Sequence, residues 1–174
     1  IQCLGPATTA DSLTALKQVV YEEKKCTPEE FYDALLKNWE GHQRLYQLVN
    51  SDKVHHYGND DDYADAMMKY VLDSFCNRLQ SYPPTRGGIG VIKDGVLSTI
   101  INLLSGLVCG ASPDGRKHHE AISENIGAAR TAHSNRDRNG PTAYARSIGK
   151  LNHEEFGSGT LINMRFGSDT ISGE

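Results

Sequence analysis

No apolar run in the sequence approaches the roughly 20 residues that a membrane-spanning helix requires. The chain opens Ile1-Gln2-Cys3-Leu4, with no initiator Met and no basic-then-apolar leader. With the abrupt ending Thr170-Ile171-Ser172-Gly173-Glu174, it reads as a portion cut from a longer chain. Excess positive charge is also lacking: the formal net charge of −4 over 174 residues argues against a chain dedicated to nucleic acid or to a membrane surface. Cysteines are few and scattered, at Cys3, Cys26, Cys76 and Cys109, with no CxxC pair and no His at ligand spacing. Four reduced thiols in a reducing, cytoplasmic setting fit this pattern better than a disulfide framework. The marks of self-contained catalysis are missing as well. Ser105, Ser134 and Ser147 have no nucleophile-elbow context. Gly88-Ile89-Gly90 starts like a dinucleotide fingerprint without its third glycine or a preceding strand. The Gly140-to-Lys150 spacing is too long for a phosphate loop, and Leu151 stands where Ser or Thr is needed.

What is present is an ordinary globular composition, 38% hydrophobic and 23% charged, enough for one real core or part of a larger one. Residues 9–82 read as helical. Leu13, Leu16, Val19 and Val20 recur at helical spacing from Thr9 to Lys25. Thr27-Pro28-Glu29-Glu30 is a capping box that restarts a helix, predicted to run to a stop at Gly41. A shorter helix is expected from about His42 to Val49. The stretch His55 to Asp65 admits two readings. Two histidines and four aspartates could hold a divalent metal for a small hydrolase using His55, His56 and Asp60 to Asp62. Alternatively, Asn59 or Asp60 caps a helix whose acids face the positive end of its dipole. EF-hand spacing fails, and Met67, Val71, Phe75 and Leu79 predict a real helix beyond.

Residues 83–174 are richer in strands and turns. Pro83-Pro84 and Gly87-Gly88 mark the break. Val91 and Val96 to Leu104 are apolar enough for a buried strand, although Leu103 to Val108 also fits a helix. Ser112-Pro113-Asp114-Gly115 predicts a tight turn that presents Arg116 and Lys117. His118 and His119 then read as solvated. From Arg116 to Lys150 there are seven basic residues against three acids, the basis for an alternative reading as an anion-binding module. Only Tyr144 could stack there. A helix is expected over Pro141 to Ile148 and a strand over Gly159 to Phe166.

Four blocks, in this order, carry a resemblance: Glu22 to Thr27 with Phe31 to Gly41; Tyr57-Gly58-Asn59-Asp60-Asp61-Asp62-Tyr63; Ala111-Ser112-Pro113-Asp114-Gly115-Arg116-Lys117; and Asn139-Gly140-Pro141-Thr142-Ala143 with Ser147 to Leu151 and Gly159 to Asn163. Together they resemble the glycyl radical enzymes of the pyruvate formate-lyase-like family, nearer the dehydratase, decarboxylase and amine-lyase branches. The resemblance implies an α/β fold, with residues 1–174 part of a single domain built on a ten-stranded barrel surrounded by helices. It also implies a backbone glycyl radical that makes a thiyl on a facing cysteine, and a homodimeric enzyme acting on a small organic substrate. A separate activating enzyme with an iron–sulfur cluster and S-adenosylmethionine installs the radical. The family's Gly-Cys-Val-Glu and Arg-Val-(Ser/Ala)-Gly loops are absent from this sequence, and none of its cysteines matches the catalytic one. No catalytic residue, bound cofactor or metal ligand is therefore assigned here. Where the family often shows a Pro-Leu-(Ala/Ser)-Asp-Gly run, this chain has Ala121 to Ala129 instead. Because alternate side chains of a barrel strand point inward, Met164 and Phe166 are expected to line the substrate cavity, with Asn163 as a polar contact.

Overall fold

The structure is a computed structural model that describes residues 1–84, 87, 88, 90–96, 100–131 and 134–164. It is α/β, as expected. Among the described residues, six α-helices run in chain order as α1 Pro6–Ala15, α2 Pro28–Leu36, α3 Gln43–Val49, α4 Asp62–Gln80, α5 Ile101–Val108 and α6 Gly140–Gly149. The strands are β1 Asp94–Val96, β2 Arg130–Thr131, β3 Ser134–Asn135 and β4 Phe156–Thr160.

The first helix is shorter than its periodicity predicts. α1 starts early, with Pro6 in its first turn, and gives way at Leu16–Glu22 to a π-helical segment. The wider turn buries Gln18. Its amide donates to the Lys53 carbonyl at 2.8 Å and accepts from the His55 backbone N–H at 3.1 Å. One side chain thus secures the loop that follows α3. α2 is capped as expected by Thr27, whose hydroxyl accepts from the Glu30 N–H at 3.1 Å. It ends at Leu36 rather than at Gly41 because the chain reverses through positive φ at Asn38 and Trp39. That reversal places Trp39 edge-on to Phe31, with ring centroids 5.7 Å apart. Burial of the one tryptophan outweighs continuation of the helix.

Two apolar clusters result. One joins the π-helical segment, α2 and α3 through Val19, Val20, Phe31, Ala34, Trp39, Leu45 and Val49. The other packs α1 along α4. Ala7 and Ala10 on α1 are small enough for the helices to approach closely, and α4 answers with Met68, Leu72 and Cys76. The buried stripe of α4 is therefore one residue round from Met67, Val71 and Phe75 of the Met67, Val71, Phe75, Leu79 stripe that spacing suggested; those three are partly buried at its margin, while Leu79 is buried.

β1 is the junction of the sheet. It pairs in parallel with β4, Asp94 opposite Phe156 and Val96 opposite Thr160, with an irregularity between. Its other side bridges to Gln2, and Gly95 N–H donates to Ile1 O at 2.9 Å. β2 and β3 form a short antiparallel pair. The apolar stretch expected as a buried strand from Val96 to Leu104 is instead a helix where it is described, α5, with only Val96 in β1; Leu97 to Thr99 lie outside the described residues. The strand expected at Gly159 to Phe166 begins three residues earlier, at Phe156, and is no longer strand over 161–164. Leu161 N–H still reaches Val96 O at 3.3 Å. The described strands form two two-stranded sheets.

Candidate functional site

The turn blocks converge on one buried polar cluster. Asp11 of α1 accepts the Tyr57 N–H at 2.8 Å, and its other oxygen lies 3.6 Å from His56 Nδ1. Asn59 uses its whole amide. It donates to the carbonyls of His56 at 3.0 Å and Arg136 at 2.7 Å, and accepts from the N–H groups of Arg138 at 2.7 Å and Asn139 at 3.2 Å. Gly58 makes the approach possible: its φ is +99°, and a Cβ there would lie 2.8 Å from Ala128 Cβ.

The predicted turn at Ser112 to Gly115 forms, with Gly115 N–H donating to Ser112 O at 3.0 Å. Ser112 Oγ donates to Asp114 at 2.6 Å and accepts from Arg116 Nε at 3.0 Å. Burial pushes the Asp114 carboxyl above the usual carboxylate range, opposed by the Ser112 hydroxyl and the Arg136 guanidinium. Arg136 is fully buried and donates to Asn50 Oδ1 at 2.9 Å and to the Asp114 carbonyl. Sequence alone did not single it out, because an Arg between Asn135 and Asp137 has the look of a solvated loop residue.

The described cations of the basic segment are paired within the chain, although of these only Arg116 and Arg136 are buried. Arg116 is buried and bonds the carbonyls of Lys117, Glu120 and Gly110. Lys117 sits over the Tyr46 ring at 4.9 Å. Arg138 bonds Asp52 and the Asn50 carbonyl, and Arg146 reaches Asp60 at 3.3 Å. Lys150 meets Asp60, Asp62 and Asp65 at 2.8, 2.8 and 2.7 Å. The side chain of Arg130 lies outside the described residues. Six of the seven cations behind the anion-binding alternative thus have partners within the chain.

The His55-to-Asp65 stretch starts a helix, capped at Asp61 rather than at Asn59 or Asp60. Asp61 Oδ1 accepts from the N–H groups of Tyr63 at 3.0 Å and Ala64 at 3.5 Å, and Oδ2 holds His55 Nδ1 at 2.5 Å. Asp60 instead takes the left-handed φ that turns the chain into the cap. With His56 beside Asp11 and Asp60 on Lys150, the residues considered for a metal face different partners. Among the described residues no group of three or more His, Cys, Asp or Glu could hold a metal ion.

Of the expected substrate contacts, Asn163 is half-buried and donates to Glu124 Oε1 at 2.8 Å. Met164 is exposed in this chain, and Phe166 lies outside the described residues. Glu124 ends a strap, residues 120–124, that crosses α5. Ile122 and Asn102 exchange bonds, Ile122 N–H to Asn102 O at 3.3 Å and Asn102 Nδ2 to Ile122 O at 3.4 Å. Ser123 and Thr8 also exchange bonds, at 2.8 and 3.0 Å, tying the strap to α1. The residues that replace the family's Pro-Leu run therefore form the bridge between α1, α5 and the segment after β4. Cys3 and Cys76 are buried, and burial with the nearby Asp94 carboxylate pushes their thiols up to about 12 and about 11. Neither is poised as a thiolate.

Comparison with known proteins defines the class. Residues 1–106 match the family model described as pyruvate formate lyase-like, and the chain belongs to this family of glycyl radical enzymes. Among curated relatives it is 44% identical over 172 residues to the (2S)-3-sulfopropanediol dehydratase of Klebsiella oxytoca, covering 99% of this chain and 21% of that protein. Among solved structures, the hydroxyproline dehydratase of Clostridioides difficile with trans-4-hydroxy-L-proline bound superposes with a TM-score of 0.84 at 37% identity, covering 92% of this chain and 19% of that one. A glycyl radical enzyme from Archaeoglobus fulgidus gives 0.81 at 31%, again covering 92% and 19%. The chain thus spans about a fifth of the length of the relatives it matches. Among the described residues, no helix is long and apolar enough to cross a membrane.

Proposed function

We propose that this chain is the central-to-late portion of a glycyl radical enzyme that removes hydrogen from a small organic substrate by thiyl-radical abstraction, as a dehydratase or related lyase. The observation that carries this reading is the end-to-end match, at 44% identity, to a protein named as a dehydratase and five times as long. The radical glycine and the thiyl cysteine belong to loops outside these residues, so the chain alone is inactive. A radical S-adenosylmethionine activating enzyme with an iron–sulfur cluster installs the radical, and the complete protein works as a homodimer.

Within that reading, the buried cluster of Asp11, Asn59, Asp114, Arg116 and Arg136 is a support. Its side chains bond mostly to backbone, while Asp11 Oδ2, Asp114 Oδ2 and Arg136 Nε and Nη1 are buried without a hydrogen-bond partner. The backbone bonds suit residues that fix neighbouring strands of a ten-stranded barrel. Asn163, Met164 and Phe166 are the substrate contacts, and the Glu124 carboxylate orients Asn163. Two measurements test this. The reading frame around the chain should encode Gly-Cys-x-Glu upstream of Ile1 and Arg-Val-x-Gly downstream of Glu174; an intact frame without both removes the proposal. In the complete enzyme, Met164→Ala and Phe166→Ala should raise KM and alter the preference among small diols and hydroxy acids. Unchanged kinetics for both would remove the substrate contacts.

A further inference from the structure

α5 is apolar on more sides than its packing uses. Its stripe at Asn102 and Gly106 carries the strap, and the fit there is tight: a Cβ on Gly106 would lie 2.2 Å from the Glu120 carbonyl oxygen. The remaining stripes face outward. Ile101, Leu104 and Val108 are 43, 57 and 82% exposed, and Leu103 and Leu107 are 51 and 50% exposed. A helix that is apolar all round belongs in an interior, and an isolated helix of this length is marginal in water without a cover. The exposed apolar residues of α2 and α4 are instead set among charge, where Lys37–Asp33 and Lys69–Asp73 pair on the outside. Contiguous apolar surface of this kind marks a place that another surface covers.

Resting on the reading above, we infer that the outward face of α5 is an internal docking surface covered by a further segment of the same, longer polypeptide. The relatives supply the reason for that occupant: they are about five times as long as this chain, so a polypeptide of that length has further segments that could cover an uncharged face. α5 itself carries no charged residue that could pair with a polar partner.

Cys109 follows α5 directly and is exposed here, which makes its thiol a reporter. Maleimide labelling, read by mass spectrometry, is compared with the urea-unfolded rate of the same polypeptide. In the 174-residue chain, native Cys109 should label within a few-fold of the unfolded rate. In the complete polypeptide it should label about tenfold or more slowly, as protected sites do. Leu104→Glu with Leu107→Glu should restore fast labelling there, whereas Leu36→Glu, exposed on another face, should not. Equally fast labelling in both lengths overturns the inference. Concentration-dependent protection in the 174-residue chain also overturns it, by giving the face to a second copy. A longer polypeptide that lacks both radical loops removes the functional reading even where Cys109 is shielded. One that has both loops and an unshielded Cys109 removes only the docking surface.

Discussion

Replacing Lys150 with Met should destabilise the chain through one buried carboxylate. Lys150 Nζ meets three aspartates where the end of α6 reaches the start of α4. The Asp62 side chain is 95% exposed, so that pair contributes little, about 0–0.5 kcal/mol. Asp65 differs: its side chain is 1% exposed, and its second oxygen has no hydrogen-bond partner. Breaking a fully buried pair by removing one partner costs roughly 3–5 kcal/mol. Because the Lys150 side chain is a third exposed, solvent screens part of this, leaving about 2–3 kcal/mol. For a chain of this size that lowers Tm by about 4–12 °C. Thermal unfolding followed by circular dichroism measures the shift. Asp65→Asn combined with Lys150→Met should recover much of the loss, since the stranded charge is gone and the two sites couple. A Lys150→Met protein within about 0.5 kcal/mol of the parent would refute the reasoning. So would a loss that vanishes at about 1 M salt, which would assign the effect to the exposed pairs.

Gly106→Ala should cost more than an ordinary helical substitution, about 1–3 kcal/mol, because the methyl meets backbone that cannot yield easily; loss of the Thr8–Ser123 amide protection in hydrogen exchange would accompany it. Asp61→Ala should cost about 1–2 kcal/mol by removing the α4 cap together with the His55 bond, whereas Asn59→Ala should loosen residues 136–139 selectively, seen as faster exchange there. Acid titration has a defined sign. Lys150 and Lys37 hydrogen bonds hold the Asp60 and Asp33 carboxyls below their usual range, so their contribution is complete above about pH 4 and fades as pH falls below it. In base the sign reverses. The raised Cys3 and Cys76 thiols stay protonated when folded, so their contribution is complete below about pH 8.5 and is lost as pH rises toward their folded values of about 12 and about 11.

Local chemistry carried much of the fold in the sequence. The Thr27 cap, the short α3, the Ser112–Gly115 turn and the α6 start are short-range events, decided by residues within a turn of each other. The departures are long-range. Trp39 ends α2 because Phe31 and Tyr46 wait for its ring, and the small residues of α1 choose which stripe of α4 is buried. Leu103 to Val108 has the composition of either a strand or a helix; the strap across Gly106 is compatible with the helix, and no local rule reveals that strap. Arg136 and Asp11 show the same limit for the buried cluster, since their partners lie far away in the chain. The blocks that marked the family turn out to hold one another in place.

The most direct test of membership in a working radical enzyme is electron paramagnetic resonance on the complete polypeptide, incubated anaerobically with the proposed activating enzyme and S-adenosylmethionine. A glycyl radical doublet should form there and not with the 174-residue chain under the same treatment. A complete polypeptide that forms no radical, or a 174-residue chain that carries one by itself, would contradict the assignment.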